Sequence, residues 1–187
     1  MRIIVAITGA SGVEIGIRAL EELKKAGIET HTILSEAAKL VMKHETDEKK
    51  AMERITRNSD RLYSEKDLDA SIASGSYKVD GMIIAPCSMK TLASIATGYA
   101  DNLVSRAADV QIKQKRTLVL VPRETPLSSI HLENMLKLSN LGVWIIPPVL
   151  SFYTQPKTIG DMIANTVGRI LDAFGITHKL YRRWEHD

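Results

Sequence analysis

Short apolar runs alternate along this chain with longer stretches in which apolar residues recur every three or four positions. The runs at 3–7, 29–34, 82–85, 117–121 and 143–146 predict five strands. They are rich in Ile, Val and Leu, as strands buried on both faces are. The periodic stretches at 13–26, 36–43, 91–96, 102–114, 130–141 and 159–174 predict helices. Strands alternating with helices indicate a parallel sheet covered on both faces, and right-handed crossovers place every strand-to-helix loop on its carboxyl edge.

Between the second and third strands, residues 46–76 are polar, with the charge runs "DEKK" and "SEKDLD". They read as a helical extension followed by a surface loop, with neither a repeat nor a linker, so one domain over 1–187 is expected. The segment "IIPPVLSFYTQPKT" is too rich in proline for regular helix or central strand, and predicts an ordered loop carrying Phe152 and Tyr153.

Composition changes this picture little. The chain has 187 residues, 44% hydrophobic and 25% charged, enough for a core without covalent staples. Its net charge of +3 is too small to argue for nucleic acid. A single cysteine excludes an internal disulfide and fits a reducing compartment. With no apolar run long enough to span a bilayer and no secretory-type leader, the expectation is a cytoplasmic protein with no membrane partner.

The first strand runs into "TGASG", Thr8–Gly12, and then a helix. Strand, glycine turn and helix in that order suit a phosphate or nucleotide. The sequence argues against the nicotinamide version: G-x-G-x-x-G is absent, and the second strand ends in Leu34 and Ser35 instead of an acidic ribose ligand. Tyr153 and Lys157 match Tyr-x-x-x-Lys only formally, since Pro156 lies between them. A glycine serving only helix–strand packing explains the turn taken alone. Two further hydroxyl-bearing loops count against that: Ser35 opens the second helix, and "PCSMKT", Pro86–Thr91, opens another. Three helix N-termini then converge on one edge, each expected to offer free N–H groups to an anion.

Cations gather in the second half. Arg106 and Lys113 are seven residues apart on one helix face. "VPRE" sets Arg123 and Glu124 directly after the fourth strand, Tyr153 follows the fifth, and Arg169 lies on the last helix. Each alone reads as a solvated surface residue. Arg123 differs because it terminates a buried strand at the functional edge. Several cations with a phenol suit a phosphate or diphosphate, and all these motifs are expected to form one site. No His, Cys or Asp cluster has metal-ligand spacing. His131 reads as packing or capping, His31 lies within the second strand, and Cys87 reads as a small packed residue.

The segments "TGASG", "LSEAAKLVMKHET", "APCSMKTLASIATGYADNLVSRAADV", "LVLVPRETPLSSIHLENMLKLSNLG" and "FYTQP" together resemble the UbiX-type flavin prenyltransferases, a group also described as aromatic-acid decarboxylase-like flavoproteins. The likeness runs from about Arg2 to Trp184. It implies a flavodoxin-like (Rossmann-like) three-layer α/β/α sandwich, assembled as a homododecamer with flavin between neighbouring subunits. It implies transfer of a dimethylallyl group from dimethylallyl phosphate to reduced FMN without a metal. The prenylated FMN would pass to a UbiD-type decarboxylase.

By the same resemblance, Gly9, Ala10, Ser11, Ser35, Ser88, Met89, Lys90, Thr91 and Arg123 would hold FMN. Tyr153 and Arg169 would hold the prenyl phosphate, with Arg106 and Lys113 completing the anion pocket. Glu45 and Glu124 would handle protons near the reacting centre. Two alternatives remain open at this stage. One is an FMN-dependent decarboxylase of the cysteinyl type, whose "PASANT"-like loop is replaced here by "PCSMKT". The other is a flavin carrier without chemistry.

Overall fold

The structure, a computed structural model, describes residues 1–184; the last three residues of the expected 1–187 domain lie outside the described residues. In chain order the elements are β1 (Arg2–Ile7), α1 (Val13–Lys25), β2 (Glu29–Leu34), α2 (Glu36–Glu45), α3 (Glu48–Asn58), β3 (Arg61–Ser64), β4 (Gly81–Cys87), α4 (Met89–Thr97), α5 (Leu103–Lys113), β5 (Thr117–Pro122), α6 (Ser129–Asn140), β6 (Trp144–Ile145) and α7 (Ile159–Asp172). Short 3-10 turns occur at Ser71–Ala73 and Phe152–Thr154.

All pairings are parallel, in the order β3-β2-β1-β4-β5-β6. The five strands expected from the apolar runs form the 2-1-3-4-5 order of a flavodoxin-like sheet, and β3 adds a sixth at the edge. That strand, "RLYS", pairs on one side only and is exposed or half-buried throughout. An edge strand buries little apolar surface, so it leaves no run of branched residues in the sequence. The polar segment before it holds α3, a separate helix capped by Asp47 and not an extension of α2. Arg54 fastens α3 to α1 through Glu14 and Glu21.

Alternate residues of β1 feed two cores. Ile3, Val5 and Ile7 pack with α1 and α7, while Ile4 and Ala6 pack with α4 and α5. Both faces of the sheet are covered, as the three-layer expectation requires. Gly16 allows α1 to lie on β4: a Cβ there would meet the Ala85 carbonyl at 2.1 Å. Phe174, just after α7, packs against Gly81 at the amino end of β4.

The outer side of the β5–β6 half is apolar but uncovered. Of α6 only Leu138 is buried, while Ile130, Leu132 and Leu136 are exposed, with Trp144, Val149, Leu150, Phe152 and Ile159 nearby in sequence. Among the described residues no helix is long and apolar enough to cross a membrane.

Candidate functional site

Strand order reverses at β1 and β4, whose neighbours' crossovers run to opposite sides, and the crevice beyond their carboxyl ends is where open α/β sheets take ligands. Thr8 ties the two loops there together. Its buried hydroxyl donates to the Pro86 carbonyl at 2.8 Å and accepts the Ser88 N–H at 2.9 Å. Gly9 lets α2 close over the first loop, since a Cβ at that position would fall 2.4 Å from the Cβ of Ala37. Gly12 turns the chain into α1 with φ +98°, a left-handed conformation that glycine adopts without strain.

The three helix N-termini at this edge are not equivalent. At α1 the cap is Gly12, and the Glu45 carboxylate accepts the N–H groups of Gly12 (2.9 Å) and Val13 (3.2 Å). At α2, Ser35 accepts from the Ala38 N–H at 3.0 Å, and the Glu65 carboxylate takes the Glu36 N–H at 2.9 Å. At α4, Ser88 accepts the Thr91 N–H at 3.3 Å and bonds the Thr91 hydroxyl at 3.0 Å. The Met89 and Lys90 N–H groups find no acceptor among the described residues. The expectation of three open termini is thereby corrected. Carboxylates hold the first N–H groups of α1 and α2, whereas those of α4 meet none, so α4 is the most open of the three to another anion.

Arg123 flanks that terminus. Its N–H donates to the Cys87 carbonyl at 3.3 Å, and its exposed guanidinium has no carboxylate within ion-pair distance among the described residues. Glu124 beside it is exposed, its carboxylate accepting the Thr125 N–H at 2.9 Å. Ala10 closes the turn by donating to the Thr8 carbonyl at 2.8 Å, and Ser11 is half-buried next to it. Gly9, Ala10, Ser11, Ser35, Glu45, Ser88, Met89, Lys90, Thr91, Arg123 and Glu124 therefore all lie on loops or helix ends at the carboxyl edge.

Tyr153 and Arg169 form a second group. Arg169 Nη2 donates to the Tyr153 hydroxyl at 2.9 Å. Its guanidinium lies over the Tyr181 ring, 4.9 Å from the centroid, and Tyr153 meets Trp184 edge-on at 5.3 Å. Arg169 lines a cavity with Ile146, Pro147 and Leu150, from the segment that leaves the carboxyl end of β6. Asn165, only 6% exposed, faces a cavity of about 210 Å³ beside Arg169, and its Nδ2 has no partner. Neither Asn165 nor Tyr181 carries a sequence motif; only the folded helix and tail reveal them.

Arg106 and Lys113 form a third group. Helix α5 starts near the carboxyl edge, where the Leu103 N–H donates to the Glu65 carbonyl at 2.8 Å. It ends at the amino edge, where Arg116 reaches the carbonyls of Gly75 and Tyr77, and Thr117 pairs with Gly81. Lys113 is its last residue and Arg106 is about 10 Å away on the same face. No hydrogen bond or ion pair among the described residues joins the three groups. Because α5 runs antiparallel to the strands, it carries Lys113 away from the carboxyl edge while Arg106 stays in its first turn.

The remaining chemistry-bearing residues are structural. Burial pushes the Cys87 thiol up, away from thiolate formation. His131 completes a capping box with Ser128 at the start of α6. Buried His31 accepts from the Tyr63 hydroxyl through Nδ1 (3.0 Å) and donates to Glu29 through Nε2 (3.1 Å). Among the described residues no group of three His, Cys, Asp or Glu side chains is placed to hold a metal ion.

Comparison with known proteins adds a family. Residues 1–175 match the Flavoprotein family model. The chain is 53% identical over 98% of its length to a Saccharomyces cerevisiae protein named flavin prenyltransferase PAD1, mitochondrial, covering 75% of it. It superimposes with a TM-score of 0.95 on a dodecameric FMN-dependent UbiX-like decarboxylase from Escherichia coli O157:H7, at 48% identity and full coverage of both chains. AnUbiX (PadA1), solved with FMN and dimethylallyl pyrophosphate, also gives a TM-score of 0.95, at 45% identity over 99% of this chain and 97% of the other. The peptidyl-cysteine decarboxylase EpiD shares 20% identity over 80% of this chain and 82% of its own, with a TM-score of 0.63, a likeness of fold alone.

Proposed function

The chain belongs to the flavoprotein family and within it to the UbiX-like flavin prenyltransferases, and we infer that it transfers a dimethylallyl group from dimethylallyl phosphate to reduced FMN. The observation that carries the chemistry is the Arg169–Tyr153 pair, a guanidinium fixed by a phenol at 2.9 Å. No carboxylate among the described residues neutralises it.

The residues present fit FMN. Two unpaired N–H groups at α4, the Ser88 and Thr91 hydroxyls and the neighbouring Arg123 make a donor set for its phosphate. Met89 and Lys90 supply those N–H groups, while Gly9, Ala10, Ser11 and Ser35 shape the crevice between the two loops. Reduced flavin supplies an electron-rich ring whose nitrogen and adjacent benzenoid carbon take up the five-carbon fragment.

On this reading, Arg169 and Tyr153 bind the ester's phosphate and take the charge that grows as the allylic C–O bond breaks and its electron pair leaves with phosphate. Arg106 and Lys113 add to that pocket from another copy of the chain, since α5 and α7 pack on opposite faces of the sheet. The dodecameric relative and the exposed apolar residues around α6 support such an assembly. The Glu45 carboxylate, fixed by two backbone N–H groups, and the solvent-exposed Glu124 accept protons released around ring closure.

The prenylated FMN goes to a UbiD-type decarboxylase, and a chain with one cysteine suits the cytoplasm in which we place it. The test is direct. The assembled protein is incubated anaerobically with reduced FMN and either dimethylallyl phosphate or its diphosphate, and the flavin is weighed. A gain of one five-carbon unit supports the transferase, with the faster ester naming the donor. Unchanged flavin would leave only a carrier, and carbon dioxide released from a cysteinyl peptide would make it a decarboxylase.

A further inference from the structure

The C-terminal tail, residues 177–184, grips α7 at the two positions that flank Arg169. Gly168 precedes it: a Cβ there would lie 2.5 Å from Tyr181 Cδ1 and 2.7 Å from His178 Cε1, so both rings rest on bare helix backbone. Asp172 follows one turn after Gly168 and gathers three donors from the tail. His178 Nε2 reaches Oδ1 at 3.1 Å and Arg183 Nη2 reaches it at 2.7 Å, while the Tyr181 hydroxyl donates to Oδ2. The Leu180 N–H donates to His178 Nδ1 at 3.2 Å, which leaves the proton on Nε2 to point at Asp172.

Asp172 is three residues from Arg169, a helical spacing at which carboxylate and guanidinium ordinarily pair. They do not pair here, because both oxygens of Asp172 are spent on the tail. Burial works against ionisation of Asp172, but the hydrogen bonds from Tyr181, Arg183 and His178 outweigh it and hold its carboxyl below the usual range. Arg169 lies instead on the Tyr181 ring face and the Tyr153 hydroxyl. A ring and a phenol orient a cation without cancelling its charge.

We propose that Tyr181 and Asp172 are positioning residues: the tail withholds the Asp172 carboxylate from Arg169 and so keeps that guanidinium oriented and open for the phosphate of the prenyl donor. This rests on the prenyl-phosphate role given to Arg169 above. Tyr181 does both jobs, its hydroxyl holding Asp172 and its ring supporting Arg169.

The test compares Tyr181→Phe, Asp172→Asn and the double variant as FMN-loaded oligomers. Tyr181→Phe keeps the ring and releases one carboxylate oxygen. It raises the KM for dimethylallyl phosphate by about threefold, the scale of a partly exposed ion pair forming in competition, with kcat and FMN affinity near wild type. Adding Asp172→Asn removes the competing charge and returns KM to the wild-type value, a rescue that a merely structural tail anchor would not produce. An unchanged KM in Tyr181→Phe, or a KM raised further in the double variant, overturns the proposal. Affinity for inorganic phosphate, measured by calorimetry on the same proteins, separates the two readings. If wild-type protein forms no prenylated flavin but the variants still show weakened and rescued phosphate binding, the positioning device stands and the prenyl-transfer reading falls. Phosphate affinity identical in all four proteins overturns the device itself.

Discussion

The Glu45 carboxylate caps the helix that begins at Gly12, accepting its N–H at 2.9 Å and that of Val13 at 3.2 Å. A glycine-rich turn before a helix is the usual mark of a phosphate site, yet here the protein's own anion already sits on it. Glu45→Ala should therefore cost about 1 kcal/mol of stability, as loss of a helix cap does, and slow prenylation while FMN still binds. Thermal melts and flavin titration check both halves. A loss of FMN affinity as large as that of a Ser88 or Arg123 variant would return the phosphate to α1.

Arg123 and Arg169 separate nucleotide binding from chemistry. Arg123→Ala removes a cation beside the open end of α4, and FMN affinity should fall at least about tenfold, in line with a lost hydrogen bond between charged groups. Arg169→Ala and Tyr153→Phe should leave FMN affinity intact and slow the single-turnover rate, Arg169→Ala by an amount worth about 2–4 kcal/mol in barrier. Stopped reactions weighed by mass spectrometry give the rate, and equilibrium titration gives the affinity.

Lys113 and Arg169 belong to groups that do not touch within one chain. Oligomers of Lys113→Ala alone and of Arg169→Ala alone should both be nearly inactive, whereas oligomers reassembled from a mixture should regain part of the activity. Some of their sites combine an intact Lys113 from one copy with an intact Arg169 from another. Absence of any recovery in verified mixed oligomers would place both residues in one chain's site.

His31 makes stability depend on pH. Burial among Tyr63, Tyr77, Glu29 and Arg2 lowers its pKa, with the Glu29 carboxylate opposing that shift less strongly. Above about pH 6.5 the ring is neutral in both folded and unfolded chains, and it contributes no slope. Below it the unfolded chain takes up a proton that the folded one refuses, so stability falls until the folded ring itself protonates. Denaturation midpoints between pH 7.5 and 5 should decline for the wild type and decline less for His31→Gln. Parallel curves would mean that His31 titrates alike in both states.

Five of the six strands were written in the sequence as short apolar runs. Strands β1, β2, β4 and β5 are buried on both faces, and edge strand β6 ends the run 143–146, whereas edge strand β3 left no such run. The same runs fixed where the loops fall, and so brought Ser35, Ser88 and Arg123 to one edge. Sequence could not say which helix end was open. That depended on where Glu45 and Glu65 landed, 33 and 29 residues from the N–H groups they occupy. A carboxylate's partner across such separations is set by how α2 lies over Gly9, not by any local pattern.

Seen from the chain alone, Arg106, Lys113, Arg169 and Tyr153 were interchangeable members of one basic constellation. Residue type dictated that they could bind phosphate; the direction of α5 and the packing of the tail on Gly168 decided which of them share a place. Local propensity and burial are read from neighbours in sequence. The neutralisation or freedom of a charge is decided by neighbours in space, which exist only once the layers have closed.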